Sequence, residues 1–521
     1  MQKKNAKTSK IKNHDNNKDS ELKNSNSKPI IKDKMLRLFI TIFLFILGFI
    51  LIYFLYTISF IGVILQWASA IIFLVLIGIL IRAVNGFQGS NGLYLLSTKN
   101  GLNIIDEISK KGKNFWKHMS IWGVVLGFGL LSYPLLKGKI GKYEYIFGIL
   151  SLIFILLVVL PNTAVGIQFI NLPQLHSANI SANTSQINTP NHTYLMISII
   201  SLIIGVVFGL SGYIMFLLIY LTAIDSAALI SFLATVSAGK SQPQILQNIV
   251  PGVAPVIPGI DVPLFAGLIS LIILLIIHEF SHGILSRIEN IKLKSIGLLI
   301  FGVIPIGAFV EPNEKEVSKL NNIKQTRIFA AGSAINLLAS ILFFAIMLFM
   351  IYFIIPGLYS NGVFITGVIN GLPAANVLKS GTQILYWNNV KIANLSSFNI
   401  AAANDTPGKM INVVTTTGSY SLKAVSVDNS TKGYIGVEIG NELKSGFAVQ
   451  LLYFIYTIVV LSFIFNISVG IINLLPLPFF DGWRIYKINI KNKNIINAFA
   501  IFVSIIFIIN VIFLLISSSV V

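Results

Sequence analysis

Long apolar runs alternate with short polar breaks along most of the chain, and that pattern sets the expected elements. Runs at about 36–56, 60–82, 119–136, 144–160, 264–287, 328–355, 447–472 and 495–517 are each long enough to cross a bilayer as helix. A further run, 194–237, is too long for one crossing yet has no charged turn, so the number of crossings in 119–261 stays open. Two stretches depart from the helical pattern. Leu293 to Glu316 is apolar but punctuated by Gly297, Gly302, Pro305 and Gly307. This predicts a re-entrant hairpin or loop, because irregular backbone is tolerated at membrane depth only where protein or water satisfies it. From 357 to 446, Val, Ile and Thr alternate with polar residues and turns such as NGLPA and WNNV recur. That segment is expected to be a β-rich module inserted between two spans.

Composition fits the pattern. Of 521 residues, 55% are hydrophobic and only 11% charged, which points to an α-helical polytopic membrane protein. The net charge of +19 is concentrated in Lys-rich tracts of the first 34 residues and several short loops. Lys beside apolar spans reads as a positive-inside signal with contact to membrane lipid, and no nucleic-acid partner is expected. The positive-inside signal puts the N-terminus in the cytoplasm as an expectation, and its long polar lead and extended apolar run do not fit a cleavable signal peptide. Arg287, Lys292 and Lys294, and later Arg484, Lys487, Lys491 and Lys493, mark further inner loops. The stretch 161–193 carries no Lys or Arg and has N-x-S/T acceptors at Asn179, Asn183 and Asn191, which argues for the outer face. The module 357–446, following an inside-to-outside crossing, is expected on that outer face.

The expected organisation is therefore a disordered basic tail (1–34), a transmembrane hairpin (35–84), a cytoplasmic interfacial segment (85–118) and additional spans and loops (119–261). A membrane core in two parts follows (262–356 and 447–521), interrupted by the β-rich module.

The chemistry sits in LLIIHEFSHG. His278 and His282 are one helical turn apart on one face, and Glu279 adjoins the first. H-E-x-x-H on a helix supplies two imidazole ligands for zinc and a general base for hydrolysis. At 1.5 Å per residue from Arg287, the metal is expected roughly 12–14 Å inside the inner face. Zinc needs at least one more protein ligand. The chain has no Cys, and His14, His118, His176 and His192 fall outside the spans, so a carboxylate is expected. Asp481 is the best candidate, since Pro476 and Pro478 unwind the backbone before it on the inner side. Asp225 is the rival and Glu311 a weaker one.

HEFSHG, the IPIGAFVEP segment and NLLPLPFFDG together resemble the site-2 protease family of intramembrane zinc metalloproteases over roughly 262–490. Weaker likeness to archaeal-type members runs upstream through STKNGLNIIDEISKKGKNFWKH and VIPGIDVPL. The module resembles a PDZ domain in GVFITGVINGLPAANVLKSGTQILYWNNVKI. The resemblance implies His278, His282 and Asp481 as zinc ligands, Glu279 as the catalytic base, Asn473 as a contact to the substrate backbone and 293–311 as a membrane re-entrant β-hairpin. It implies regulated intramembrane proteolysis of a single-span membrane protein, with a peptide or protein ligand for the PDZ-like module. Two positions depart from the family pattern: Phe480 replaces the usual Leu before Asp-Gly, and Gly381-Thr382 stands where the PDZ pattern has Gly-Asp. The alternative function is a non-proteolytic protein of the same fold, a zinc transporter or an inactive scaffold.

Overall fold

The computed structural model describes residues 29–57, 63–99, 101–161, 191–239, 261–427, 431–478 and 480–520, with isolated positions between 245 and 259. The tail to residue 28, Asn179, Asn183 and most of 238–260 lie outside these residues. Among the described residues, nine helical segments are long and apolar enough to cross a membrane. Their outer faces are bare hydrocarbon: Phe39, Phe43, Ile46 and Ile50 are each more than half exposed. In water such a continuous apolar face would drive association, whereas against lipid it is an ordinary surface. The chain is a multi-pass membrane protein.

The described chain forms two compact units, one holding the residues before 165, 171–341 and 462–521, the other chiefly 342–461. The first unit opens with helices α1 (Lys34–Thr57) and α2 (Val63–Asn85), strands β1 (Gly89–Ser90) and β2 (Leu93–Thr98), and helices α3 (Leu102–Lys111) and α4 (Lys113–Phe128). Helices α5 (Lys142–Phe154), α6 (Asn191–Ser237) and α7 (Leu264–Ile288) follow, then strands β3 (Leu293–Phe301) and β4 (Ile304–Pro312) and helix α8 (Asn322–Phe349).

The Gly- and Pro-punctuated stretch is an antiparallel hairpin, with Ile296 opposite Val310 and Leu298 opposite Ala308. A register shift between Leu299 and Ile300 falls opposite Pro305–Gly307. Pro has no N–H to give a ladder, so β4 is suited to an edge, and the strand order β1-β2-β3-β4 leaves it there.

Within the segment 85–118, strand β2 joins the hairpin sheet as a neighbour of β3. Leu95 pairs with Leu299, and buried Tyr94 donates its hydroxyl to Gly302 O at 3.0 Å. Tyr94 thus joins a core with Leu44, Leu74, Ile77, Ile81, Ile300 and Val303 that packs α1 and α2 on the hairpin. Helix α3 contributes Ile105 to a second core with Ile284, Ile288, Leu293 and Ile296, fixing β3 against α7.

The 47-residue α6 is helical throughout except at Gly209, whose φ of 72° breaks it. A Cβ there would stand 2.3 Å from Gly127 C and O, so only Gly allows this backbone-to-backbone crossing. Asp225, farther along α6, is fully buried and accepts a hydrogen bond from Val250 N at 3.1 Å.

The second unit contains strands β5 (Val363–Val368), β6 (Gln383–Trp387) and β7 (Val390–Lys391), helix α9 (Leu395–Ala402), and strands β8 (Met410–Thr415), β9 (Gly418–Lys423) and β10 (Val437–Gly440). The main ladder runs β10-β5-β6-β8-β9, with β7 paired to β6. Its core holds Val363, Ile365, Ile384, Trp387, Ile411 and Val413. Buried Asp405 accepts from Trp387 Nε1 at 2.7 Å and Asn388 Nδ2 at 2.8 Å.

The chain returns through α10 (Phe447–Ile472), the short α11 (Asp481–Asn489) and α12 (Lys493–Val520).

Candidate metal centre

Helix α7 is apolar around most of its circumference, and one turn of it carries His278 and His282 toward the protein interior. His278 is 7% exposed. Their Nε2 atoms lie 3.3 Å apart. The third corner comes from the far end of the chain. After α10, Pro476 and Pro478 prevent further helix, and the chain turns so that Gly482 N donates to Asn473 O at 2.7 Å. A Cβ on Gly482 would stand 2.3 Å from Leu474 C and O, so this turn closes only around Gly. The turn sets Asp481 at the start of α11, with Oδ2 3.1 Å from His282 Nε2 and 3.4 Å from His278 Nε2.

Three donor atoms therefore form a nearly equilateral triangle with edges of 3.1, 3.3 and 3.4 Å. Tetrahedral ligands bonded at about 2.0–2.1 Å sit about 3.3 Å apart, so the triangle has the dimensions of three zinc ligands with a fourth position open. Among the described residues, His278, His282 and Asp481 are the one group of this kind. Asp225 and Glu311 are not part of it. Glu311 instead pairs with Lys294 at 2.6 Å and accepts from Ser295, and the hydrogen bond from Lys294 holds its carboxyl below the ordinary value.

The space is kept clear by α8. A Cβ on Gly332 would lie 2.4 Å from His278 Nε2 and from His282 Nε2, so any side chain would fill the cradle between the imidazoles. One turn before, Ile328 O accepts from His282 Nδ1 at 2.8 Å. One turn after, the Asn336 amide lies 2.9 Å from His278 Nδ1. Ile328, Gly332 and Asn336 are spaced by four and share a face of α8. They escaped the sequence reading, although a lone Asn in an apolar span, one turn from a Gly, was the available signal.

Glu279 points elsewhere. Its Oε2 accepts from Val310 N at 3.1 Å, on the edge strand β4, and it is not one of the three metal-type donors. Asn473 does reach the centre, with Nδ2 3.4 Å from His278 Nε2.

Residues 266–517 match the profile of peptidase family M50. This part of the chain, a little under half of its length, is similar to peptidase family M50, the site-2 protease family. The matched stretch runs from α7 through α12 and so takes in all three corners of the donor triangle. M50 peptidases are zinc metalloproteases, which suits the two-His, one-carboxylate donor set. An uncharacterized protein of Methanocaldococcus jannaschii is 28% identical over 228 residues. That stretch is 43% of this chain and 57% of the relative's length.

Proposed function

We propose that this protein is an intramembrane zinc endopeptidase that hydrolyses a peptide bond in or near the transmembrane segment of a single-span membrane protein, as a step of regulated intramembrane proteolysis. The observation that carries this reading is the pairing of a three-donor triangle with a carboxylate, Glu279, that is held beside an edge strand and not used as a ligand. His278, His282 and Asp481 would hold the metal. When bound, zinc supplies Lewis-acid polarisation of the scissile carbonyl and acidifies water.

A peptide bond in a membrane helix is closed in its own hydrogen bonds, so the substrate must unwind first. The edge strand β4 offers unpaired backbone groups to the unwound stretch by strand addition. Val310 N–H already points at Glu279, which brings the scissile bond of a paired substrate next to the base. The Asn473 amide takes a backbone group orphaned by unwinding. Glu279 then accepts the proton of the attacking water as its oxygen bonds to the carbonyl carbon, and delivers that proton to the nitrogen as the C–N bond breaks.

Glu279→Gln is expected to keep zinc and abolish cleavage of a transmembrane reporter, with retained cleavage removing Glu279 from the base role. Asp481→Asn is expected to lower zinc occupancy. The same Glu279→Gln protein should trap single-span proteins in native membrane, and capture of soluble proteins alone would count against this substrate class.

The proposed topology has a cytoplasmic N-terminus and an outer, PDZ-like second unit that takes a peptide or protein ligand. The chain has no Cys, so single introduced cysteines test sidedness cleanly. Ser419→Cys is expected to label from outside and Lys491→Cys only after permeabilisation.

A further inference from the structure

Resting on the metallopeptidase reading above, we propose that Asn336 is a positioning residue: its amide oxygen accepts the Nδ1 proton of His278 and thereby presents Nε2 unprotonated to the metal. A neutral imidazole has one N–H and one lone pair, and only the lone-pair nitrogen can bind a cation. For His282 the choice is dictated by Ile328 O, which can only accept, so Nδ1 carries the proton and Nε2 is free. For His278 the corresponding neighbour is the Asn336 side chain, 2.9 Å from Nδ1 and fully buried.

An amide offers either a donor or an acceptor at that distance, and its two orientations occupy nearly the same space. With nitrogen toward Nδ1, the His278 proton moves to Nε2. That atom faces Asp481 Oδ2 at 3.4 Å and His282 Nε2 at 3.3 Å, and a protonated Nε2 cannot join them around a cation. The same orientation leaves Asn336 Oδ1 buried without a partner. Turning the amide puts this orphaned acceptor on the Nδ1 proton. Ser333, three residues earlier on α8, has a hydroxyl that is likewise buried and unpartnered.

Gly470 of α10 closes over Asn336, with an added Cβ there meeting Asn336 Cβ at 3.3 Å. Helix α8 therefore fixes both imidazole tautomers from one face, using a carbonyl at 328 and an amide at 336, with Gly332 between them allowing the approach. Groups that orient metal-bound His in this way commonly change metal affinity 10–100-fold when removed.

The test uses the full-length protein in detergent, with zinc affinity read by competition against a chromophoric chelator and site geometry by the visible spectrum of the cobalt-substituted form. Asn336→Leu keeps the volume but loses the acceptor, and is expected to weaken zinc binding about 10–100-fold with an altered cobalt spectrum. Asn336→Asp keeps an acceptor and is expected to restore both. Equal zinc affinity in wild type and Asn336→Leu, or equal loss in the Leu and Asp variants, overturns the proposal. Nitrogen-15 NMR of the His-labelled, zinc-loaded wild type supplies a reading that needs no variant: a protonated Nδ1 on His278 is expected, and a protonated Nε2 overturns the assignment. A wild type that binds no zinc would instead defeat the metallopeptidase reading itself.

Discussion

Gly332→Ala puts one methyl group into the donor triangle, and its effect can be worked from distances. The added Cβ would stand 2.4 Å from His278 Nε2 and Cε1 and 2.4 Å from His282 Nε2. Those nitrogens are 3.3 Å apart. A cation bonded to both at about 2.0–2.1 Å and a carbon at that distance from both lie no more than about 3 Å from each other, inside contact distance. Each imidazole must retreat by about 1 Å to make ordinary contact with the methyl. In the metal-free protein the rings can move apart, so the strain falls mainly on the loaded state. Overpacking of this kind costs about 1–3 kcal/mol, which converts to about a 5- to 150-fold loss of zinc affinity. Chelator competition on the purified protein measures this directly. Gly357→Ala is the control, because an added Cβ there meets nothing within 4 Å. Wild-type zinc affinity in Gly332→Ala would refute the cradle, and with it the claim that the cation sits between these imidazoles.

Three further outcomes follow from other contacts. Val310→Pro removes the N–H that holds Glu279 Oε2; zinc content should be unchanged, while turnover of a transmembrane reporter falls about 100-fold from a misplaced base. Asp225→Asn should leave zinc content at the wild-type level, because Asp225 lies outside the donor group; loss of metal on measurement by mass spectrometry would return it as a ligand. Asp405→Ala deletes the acceptor of the Trp387 and Asn388 hydrogen bonds. With each such bond to a charged group worth about 1.5–3 kcal/mol, faster limited proteolysis of the second unit is expected, with zinc binding intact.

How much of this was legible beforehand depends on how local each signal is. The His278–His282 spacing is a property of one helical turn, and the hairpin announced itself through Gly297, Gly302, Pro305 and Gly307. Asp481 could be reached only as the best of several carboxylates, because no local pattern ties it to residues about 200 positions earlier. The strand β2 leaves almost no local trace: its six residues of mixed polarity lie inside a basic interfacial segment, and β3 supplies the pairing edge. Gly332 and Asn336 are different again. Both were visible as letters inside an apolar span, but their meaning depends on which helix α8 faces, and periodicity alone does not say that.

The layout of the centre also bears on when it becomes able to hold a metal. Helices α7 and α8 meet with matched periods, His278 and His282 on one and Ile328, Gly332 and Asn336 on the other, so imidazoles and orienting groups come together as soon as these two helices, linked through the β3–β4 hairpin, pack. Two imidazoles alone make a weak zinc site, since structural and catalytic sites use three or four protein ligands. The carboxylate arrives with the 473–482 turn, which is closed by the Gly482 N–H to Asn473 O bond and seated by buried Leu474 and Leu475. Metal retention is therefore coupled to docking of that turn. The same turn carries Asn473, the proposed substrate contact, within 3.4 Å of His278. One short break in a span thus completes the metal site and sets a substrate-facing amide beside it.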